Sequence, residues 1–426
     1  MKPMKINPVK SLRGDVTVPG DKSISHRALM LGAIADGVTH IKNLLDCDDC
    51  NYTAEALRGA GVSIEVAPGE AFVKGLGISG LKKPDGVVNV GESGTSMRLL
   101  SGIFAAQRFD TTLSGKEALN RRPMNRIIEP LSLMGAKIGS VPGGYPPLVI
   151  KGSKLQPISY RMQVASAQVK SAILLAGLYA DGTTVVEEKN ITRDHTERAL
   201  KYFGADITSD GLLIKIKGPG RLLAKDVEVP GDISSAAFLI ACAVIVPGSS
   251  VRIKGVGTNP TRGGMLNVLS GMGAKIRLAD QKDAFEPSAD IIVESGRTKG
   301  IVIEKDTLPT LIDELPAIFV VAALSEGTTV IKGAEELRVK ETDRIVSMRE
   351  NLSRMGARIK IDGSDITIEG VRRLNGAKLK SFGDHRTCMA MHIAALAAEG
   401  ESFMDDTECV SKSFPSFFKE MEKISC

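Results

Sequence analysis

The chain has 426 residues, 43% of them hydrophobic, and 55 basic against 50 acidic side chains leave a net charge of only +5. With no Trp and 4% aromatic residues, this near balance excludes a general nucleic-acid surface, which needs a basic excess or stacking rings. The length fits two or three domains. The N-terminus shows no apolar leader core, and the longest apolar run, Ala236 to Val246, is too short to cross a bilayer. A soluble cytoplasmic protein is expected.

A strand pattern over Lys10–Val18 leads to Val18-Pro19-Gly20-Asp21-Lys22-Ser23-Ile24-Ser25-His26-Arg27. A Pro-Gly turn there opens a helix. Ile24, Ala28 and Leu31 recur at helical spacing as a packing face, and Ser23 and Arg27 share another face. Two cations at a helix start oppose the helix dipole, and an anionic ligand would offset that cost. Cys47 and Cys50 form a lone C-x-x-C among six scattered cysteines, read as reduced thiols rather than a zinc site.

The chain is then periodic. A glycine and a small residue lead into a short strand at Gly61, Gly135, Gly204, Gly273 and Gly356, each after a helical pattern, so each glycine reads as a helix stop. A turn with a β-branched run recurs at Gly37, Asp110, Gly182, Gly248, Gly327 and Gly400. Six units of alternating helices and strands, three per half, predict two similar globular domains. The Val-Pro-Gly-Asp segments mark the junctions. Residues 20–228 form one domain, and residues 229–426 form the other, completed by residues 1–19. The sixth unit lacks its closing strand piece, and Lys10–Val18 is available to complete the second domain. A cleft between domains is a favoured ligand site. Close to half a chain length after the first copy, Val229-Pro230-Gly231-Asp232-Ile233-Ser234-Ser235 repeats the opening segment with Ile233 in place of Lys22. The first copy keeps the charges, and the second reads as packing.

Other segments depart from ordinary surface patterning. Gly91-Glu92-Ser93-Gly94-Thr95-Ser96-Met97-Arg98 is a glycine-containing loop entering a helix, a form that offers backbone N–H groups to anions. Arg121, Arg122 and Arg126 add cations. Asp313 precedes an apolar helix, as an N-cap or as a partly buried base. Lys340 and Arg344 are read as one helix face, with Ile345, Met348, Leu352 and Met355 as its buried stripe. Asp384 reads as an N-cap, with Arg386 in the first turn. No P-loop, dinucleotide fingerprint, His pair of metal spacing or nucleophile elbow is present. The chemistry falls to Arg, Lys, Asp and Glu from distant segments.

Taken together, these segments resemble the 5-enolpyruvylshikimate-3-phosphate synthase family, the enolpyruvyl transferases of the shikimate pathway (EC 2.5.1.19). The matching stretches run from Gly20–Arg27 through Gly94-Thr95, Arg122-Pro123, Ser166–Lys170, Arg193–Glu197, Asp313, Lys340–Arg344 and Asp384–Arg386 to Lys412. Four of them, Gly20–Ser23, Ser166–Lys170, Arg193–Glu197 and Asn259–Arg262, resemble class II signatures, and Glu92 stands where many relatives carry Asn. The resemblance implies an α/β (α+β) enolpyruvyl transferase fold, two domains each of three βαβαββ units, with no cofactor, no metal, no nucleic acid and no membrane, acting as a monomer. It implies shikimate 3-phosphate on Ser23, Arg27, Ser166, Ala167, Gln168, Arg193, Asp313 and Lys340. It implies phosphoenolpyruvate on Lys22, Gly94, Arg122, Gln168, Arg344, Arg386 and Lys412. Asp313, Glu341 and Lys22 are the expected catalytic groups, with proton transfer divided among them. Reduced sensitivity to glyphosate follows from the class II signatures. The nearest rival is an enolpyruvyl transferase acting on UDP-N-acetylglucosamine, which typically carries a reactive Cys where Phe109–Arg126 has none. A non-catalytic anion-binding repeat protein is the alternative from another class, and the carboxylates Asp313 and Glu341 count against it.

Overall fold

A computed structural model describes residues 3–426. The chain divides into two compact units, Gly20–Val229 and, together with the described residues up to Pro19, Pro230–Cys426.

In the unit Gly20–Val229 the helices are α1 (Lys22–Ile34), α2 (Asp48–Gly59), α3 (Gly94–Ala105), α4 (Glu117–Asn120), α5 (Asn125–Leu133), α6 (Ala167–Gly177) and α7 (His195–Tyr202). Three four-stranded sheets accompany them. Each joins a short parallel strand to an antiparallel hairpin. In the second sheet, for example, Val88–Asn89 runs parallel to Thr111–Ser114, which pairs antiparallel with Tyr145–Lys151, and that strand pairs in turn with Lys137–Val141. The chain order is therefore β-α-β-α-β-β. Alternation of buried Leu148 and Ile150 with exposed Val149 along one strand shows why it lies with one face on the core.

In the other unit the helices are α8 (Ile233–Ile245), α9 (Gly264–Gly271), α10 (Leu315–Ala323), α11 (Arg344–Arg354), α12 (His385–Leu396) and α13 (Phe417–Ile424). Its first two sheets have the same plan, and its third has three strands. α8 carries apolar residues on every side and is buried along Ile233–Val244, as a central core helix must be.

The glycines at 61, 135, 204, 273 and 356 all adopt φ between +87° and +95°. At these helix ends a left-handed residue frees the chain to turn into the next strand, and a Cβ would oppose it.

Three strands next to the junctions pair with strands far away in sequence. Arg13–Thr17 pairs in parallel with Ser250–Gly257, so the Lys10–Val18 pattern serves the fourth repeat. The sixth is completed by Met4–Ile6, which pairs with Ser402–Met404. Val227–Glu228 returns to pair with Asp36–Lys42 at the start of the first repeat. Gly20 lies where the chain passes between units, and a Cβ there would meet the Asn43 carbonyl oxygen at 1.9 Å.

Candidate active site

In the unit Gly20–Val229, the predicted residues gather at the starts of α1, α3 and α6. A helix start exposes unsatisfied N–H groups and partial positive charge, so three such starts form a field suited to anions. Each start is fixed by a side-chain cap. Asp21 accepts from the Ile24 N–H at 2.9 Å, Ser93 from the Ser96 N–H at 3.1 Å, and Ser166 from the Val169 N–H at 3.4 Å.

The face of α1 that carries Arg27 is as deeply enclosed as its packing face. From Ile24 to Ile34 the helix is buried all round. Lys22 and Ser23, at its mouth, are half-buried. Arg27 points inward, and each of its three nitrogens has a partner. Its Nε donates to Thr196 Oγ1 at 2.7 Å, its Nη2 to Ser171 Oγ at 2.8 Å, and its Nη1 to the Ser23 carbonyl at 2.8 Å. Ser171 Oγ lies 2.6 Å from Thr196 Oγ1 and donates to the Ala167 carbonyl at 2.6 Å. A buried guanidinium without such acceptors would cost several kcal/mol. Here it ties α1, α6 and the Arg193 segment together. Lys170 does the same from α6, with Glu188 at 2.9 Å and Glu197 at 2.6 Å. Burial pushes the Glu197 carboxyl up, and Lys170 works against that push. The segments Ser166–Lys170 and Arg193–Glu197, read separately in the sequence, thus bond to each other.

Gln168 joins α6 to α3. Its Oε1 accepts from Arg98 Nη1 at 2.7 Å, and its Nε2 donates to Thr95 Oγ1 at 3.0 Å. The two helices pack closely at Gly102, where a Cβ would meet the Ala172 carbonyl oxygen at 2.3 Å. Arg98 escaped the residue assignment. Its only sequence signal is its position one turn after Gly94, to whose carbonyl it donates at 3.2 Å. Asp49 was missed altogether, and its carboxylate lies 3.1 Å from Lys22 Nζ. Arg122, in the turn after α4, and Arg193, ahead of α7, are half-buried.

In the other unit the centre is Arg344, wholly buried at the start of α11. Its Nε donates to Asp384 at 2.9 Å, its Nη1 to Asp313 at 3.4 Å, and its Nη2 to Glu341. Burial works against the guanidinium charge, but Glu341, Asp384 and Asp313 more than offset it, so the group is held above the ordinary arginine range. Arg386, at the start of α12, donates to the Asp313 carbonyl at 2.9 Å and lies 3.7 Å from its carboxylate. Asp384 caps α12 through the Arg386 and Thr387 N–H groups at 2.8 and 3.3 Å. Asp313, Glu341, Arg344 and Arg386 therefore form one constellation.

Two expectations are corrected here. Lys340 and Arg344 do not share a helix face. Asp343 captures the Ile345 and Val346 N–H groups at 3.1 Å and starts α11 after itself, leaving Lys340 in extended backbone behind a 3-10 turn, Glu335–Val339. The Lys340 ammonium lies 3.6 Å from Glu336. Nor does Asp313 cap α10. Glu314 holds that position, wholly buried, and accepts from Ser234 Oγ and from Arg262 Nη2, the latter at 3.2 Å. Lys412 closes a 3-10 turn, Glu408–Lys412, whose Cys409 thiol meets the Cys388 thiol of α12. All six cysteines are free thiols. Among the described residues no group of three or more His, Cys, Asp or Glu is arranged to hold a metal ion, and no helix is long and apolar enough to cross a membrane.

A sequence profile of the family described as EPSP synthase (3-phosphoshikimate 1-carboxyvinyltransferase) matches residues 6–421. The 3-phosphoshikimate 1-carboxyvinyltransferase of Geobacter sulfurreducens is 50% identical over 421 residues, 98% of either chain. That of Brevibacillus brevis is 47% identical over 424 residues, 99% of this chain and 100% of the relative. Among solved structures, EPSP synthase from Acinetobacter baumannii superposes with a TM-score of 0.91 at 44% identity, covering 100% of this chain and 98% of its own. An enolpyruvyl transferase from Streptomyces tendae shares the fold, with a TM-score of 0.82 at 18% identity over 99% of this chain and 97% of its own. With a profile match along nearly its whole length and relatives at about half identity end to end, this chain belongs to the EPSP synthase family.

Proposed function

We propose that the chain transfers the enolpyruvyl group of phosphoenolpyruvate to the 5-hydroxyl of shikimate 3-phosphate and releases inorganic phosphate. The observation that carries this reading is the carboxylate of Asp313, retained within reach of both Arg344 and Arg386. An anion store would exclude a carboxylate there, whereas an addition to a phosphorylated enol needs a base beside cations.

The substrates bring two phosphates and two carboxylates. Two like charges at about 4 Å cost about 4 kcal/mol at an effective dielectric of 20. Cations are therefore required to assemble the reactants, and each charge-assisted hydrogen bond contributes roughly 1.5–3 kcal/mol. Arg344, Arg386 and Arg122 offer forks to carboxylate or phosphate, and Lys22, Lys340 and Lys412 act as point charges. Ser23, Arg27, Ser166, Ala167, Gln168, Arg193, Asp313 and Lys340 serve shikimate 3-phosphate. Lys22, Gly94, Arg122, Gln168, Arg344, Arg386 and Lys412 serve phosphoenolpyruvate.

Asp313 takes the proton of the 5-hydroxyl as its oxygen bonds to C2 of phosphoenolpyruvate. Glu341 delivers a proton to the C3 methylene, forming a tetrahedral intermediate. Glu341, now ionised, takes a proton back from C3 as the C2–O–phosphate bond breaks, which restores the enol ether and frees phosphate, whose developing charge Lys22 steadies, and the proton on Asp313 passes to solvent. The contact of Glu341 with Arg344 bears on this order. A substrate carboxylate on that guanidinium would displace Glu341, which then takes up a proton beside the incoming anions and can act as the acid. The reading carries with it a cytoplasmic monomer, checked by sedimentation.

Mixing both substrates with the protein should release phosphate in proportion to turnover, and UDP-N-acetylglucosamine in place of shikimate 3-phosphate should release none. Asp313→Asn and Glu341→Gln should each lower turnover about 100-fold or more while the circular dichroism spectrum is kept. Near-normal turnover in either variant removes that residue's assignment.

A further inference from the structure

A chain of buried polar side chains crosses three helices in the unit Gly20–Val229 and has no part in the reaction above. His26 Nδ1 of α1 lies 2.7 Å from Thr53 Oγ1 of α2, which lies 2.6 Å from Ser96 Oγ of α3. Ser96 Oγ then donates to Ser93 Oγ at 2.7 Å, the side chain that caps α3. His26, Thr53 and Ser96 are wholly buried and Ser93 is 1% exposed. Burial drives the His26 pKa down to about 3, so the imidazole is neutral.

The spacing of these residues is informative. Lys22 and His26 are four apart on α1, and Asp49 and Thr53 are four apart on α2, so each pair shares a helix face. The Lys22–Asp49 contact at 3.1 Å and the His26–Thr53 contact at 2.7 Å are successive rungs between the same two helices. Thr53 Oγ1 also lies 3.2 Å from the Asp49 carbonyl, which binds the two rungs together. The third rung, Thr53–Ser96, reaches the turn that starts at Gly94. Shape alone does not require this arrangement. Replacing both members of a buried hydrogen bond with apolar groups of the same shape is often nearly neutral for stability. What directional bonds add is register, with few alternative arrangements.

A second network in the same unit joins Arg27, Ser171, Thr196 and the Ala167 carbonyl through hydrogen bonds of its own. It supports the groups assigned to shikimate 3-phosphate, whereas the first supports Lys22 and Gly94. We infer that His26, Thr53 and Ser96 are positioning residues for the phosphoenolpyruvate side alone, holding the Lys22–Asp49 pair in register with the Gly94 helix start. The inference rests on the substrate assignment proposed above.

Its test is steady-state kinetics on Thr53→Val, which keeps the shape and removes both hydroxyl contacts. KM for phosphoenolpyruvate should rise about 5- to 10-fold, the scale of one or two hydrogen bonds, with KM for shikimate 3-phosphate changed less than twofold. Thr53→Ser should restore the parent values. Ser171→Ala should show the opposite split. Should Thr53→Val not fold, Ser96→Ala carries the same expectation. Equal changes in both KM values, or none, or no rescue by Thr53→Ser, overturn the inference while the activity stands. No phosphate release from the parent protein overturns the functional reading and this inference with it.

Discussion

The helices α1 and α8 begin with the same Pro-Gly-Asp turn and an aspartate cap, Asp21 in one and Asp232 in the other. After that they diverge. Lys22 and Ser23 stand half-buried at the mouth of α1, and Arg27 is held inside by hydroxyls. In α8 the corresponding positions are Ile233, Ser234 and Phe238. Ile233 is 2% exposed, Ser234 is consumed by Arg262 and Glu314, and Phe238 meets Phe417 edge-on. One fold position therefore serves as an anion mouth or as plain core. The choice is made by what each neighbouring helix supplies. Beside α1 stands Asp49 for the ammonium, while the carboxylates at the start of α8, Asp232 and Glu314, lie against Arg262. In the second unit the cations sit on later repeats, at Arg344 and Arg386.

Exchanging the two starts tests this contrast. Ile233→Lys should be the most damaging change, since an uncompensated buried charge costs about 3–5 kcal/mol. Thermal melting should show a large fall in Tm or no cooperative transition, and a normal melt would mean the α8 start is less enclosed than described. Lys22→Ile gives α1 the residue of α8. It should keep the fold, raise KM for phosphoenolpyruvate and lower kcat, with kcat/KM down at least about 10- to 100-fold, the value of one charge-assisted contact. Unchanged kinetics would erase the functional difference between the two copies.

A smaller effect separates the cores by pH. His392, packed edge-on against Phe417 and Phe418, has its pKa lowered by burial to about 4. The folded state thus resists protonation that the unfolded state accepts below about 6.5. This histidine's contribution is complete above that value and is lost as pH falls towards 4. Between pH 7 and pH 5 the loss is about 2 kcal/mol. His392→Phe should shrink the difference in Tm between these two pH values, and an equal difference would place the ring in a wetter environment. The smallest expected change is at Gly94, where a Cβ would meet Arg98 Nη1 at 2.5 Å. In Gly94→Ala the guanidinium must give way and loosen its bond to Gln168, so KM for phosphoenolpyruvate should rise about fivefold.

Much of this was legible in the sequence because it is local. The glycine stops, the Asp384 cap and the stripe Ile345, Met348, Leu352 and Met355 each depend on residues within a turn or two. What escaped is long-range. Nothing near Lys22 announces Asp49, and nothing near Gln168 announces Arg98, because only the fold brings their helices together. Helical spacing put Lys340 on the helix with Arg344. The carboxylate of Asp343 competes for the same N–H groups and sets a later start. Apolar spacing gave α1 one packing face, although α2, α3, α7 and the strands Asp36–Lys42 and Glu70–Leu76 enclose it and its polar groups find partners inside. The Lys10–Val18 strand was legible but the repeat it joins was not, since pairing partners for Met4–Ile6 and Arg13–Thr17 are fixed by residues hundreds of positions away.

These distant pairings have a consequence for how the molecule can be cut and rejoined. A fragment covering residues 230–426 lacks Arg13–Thr17 and Met4–Ile6, so two of its three sheets would be left with an open edge. A circular permutant does not have that defect. The backbone at Lys10 and Ser11 already bonds to Cys426 at 3.0 and 2.9 Å. A chain opened before Pro230, with its old ends joined by a short linker, would complete one unit in a single uninterrupted run and then the other. The two passages between the units would become one, at Pro19–Gly20.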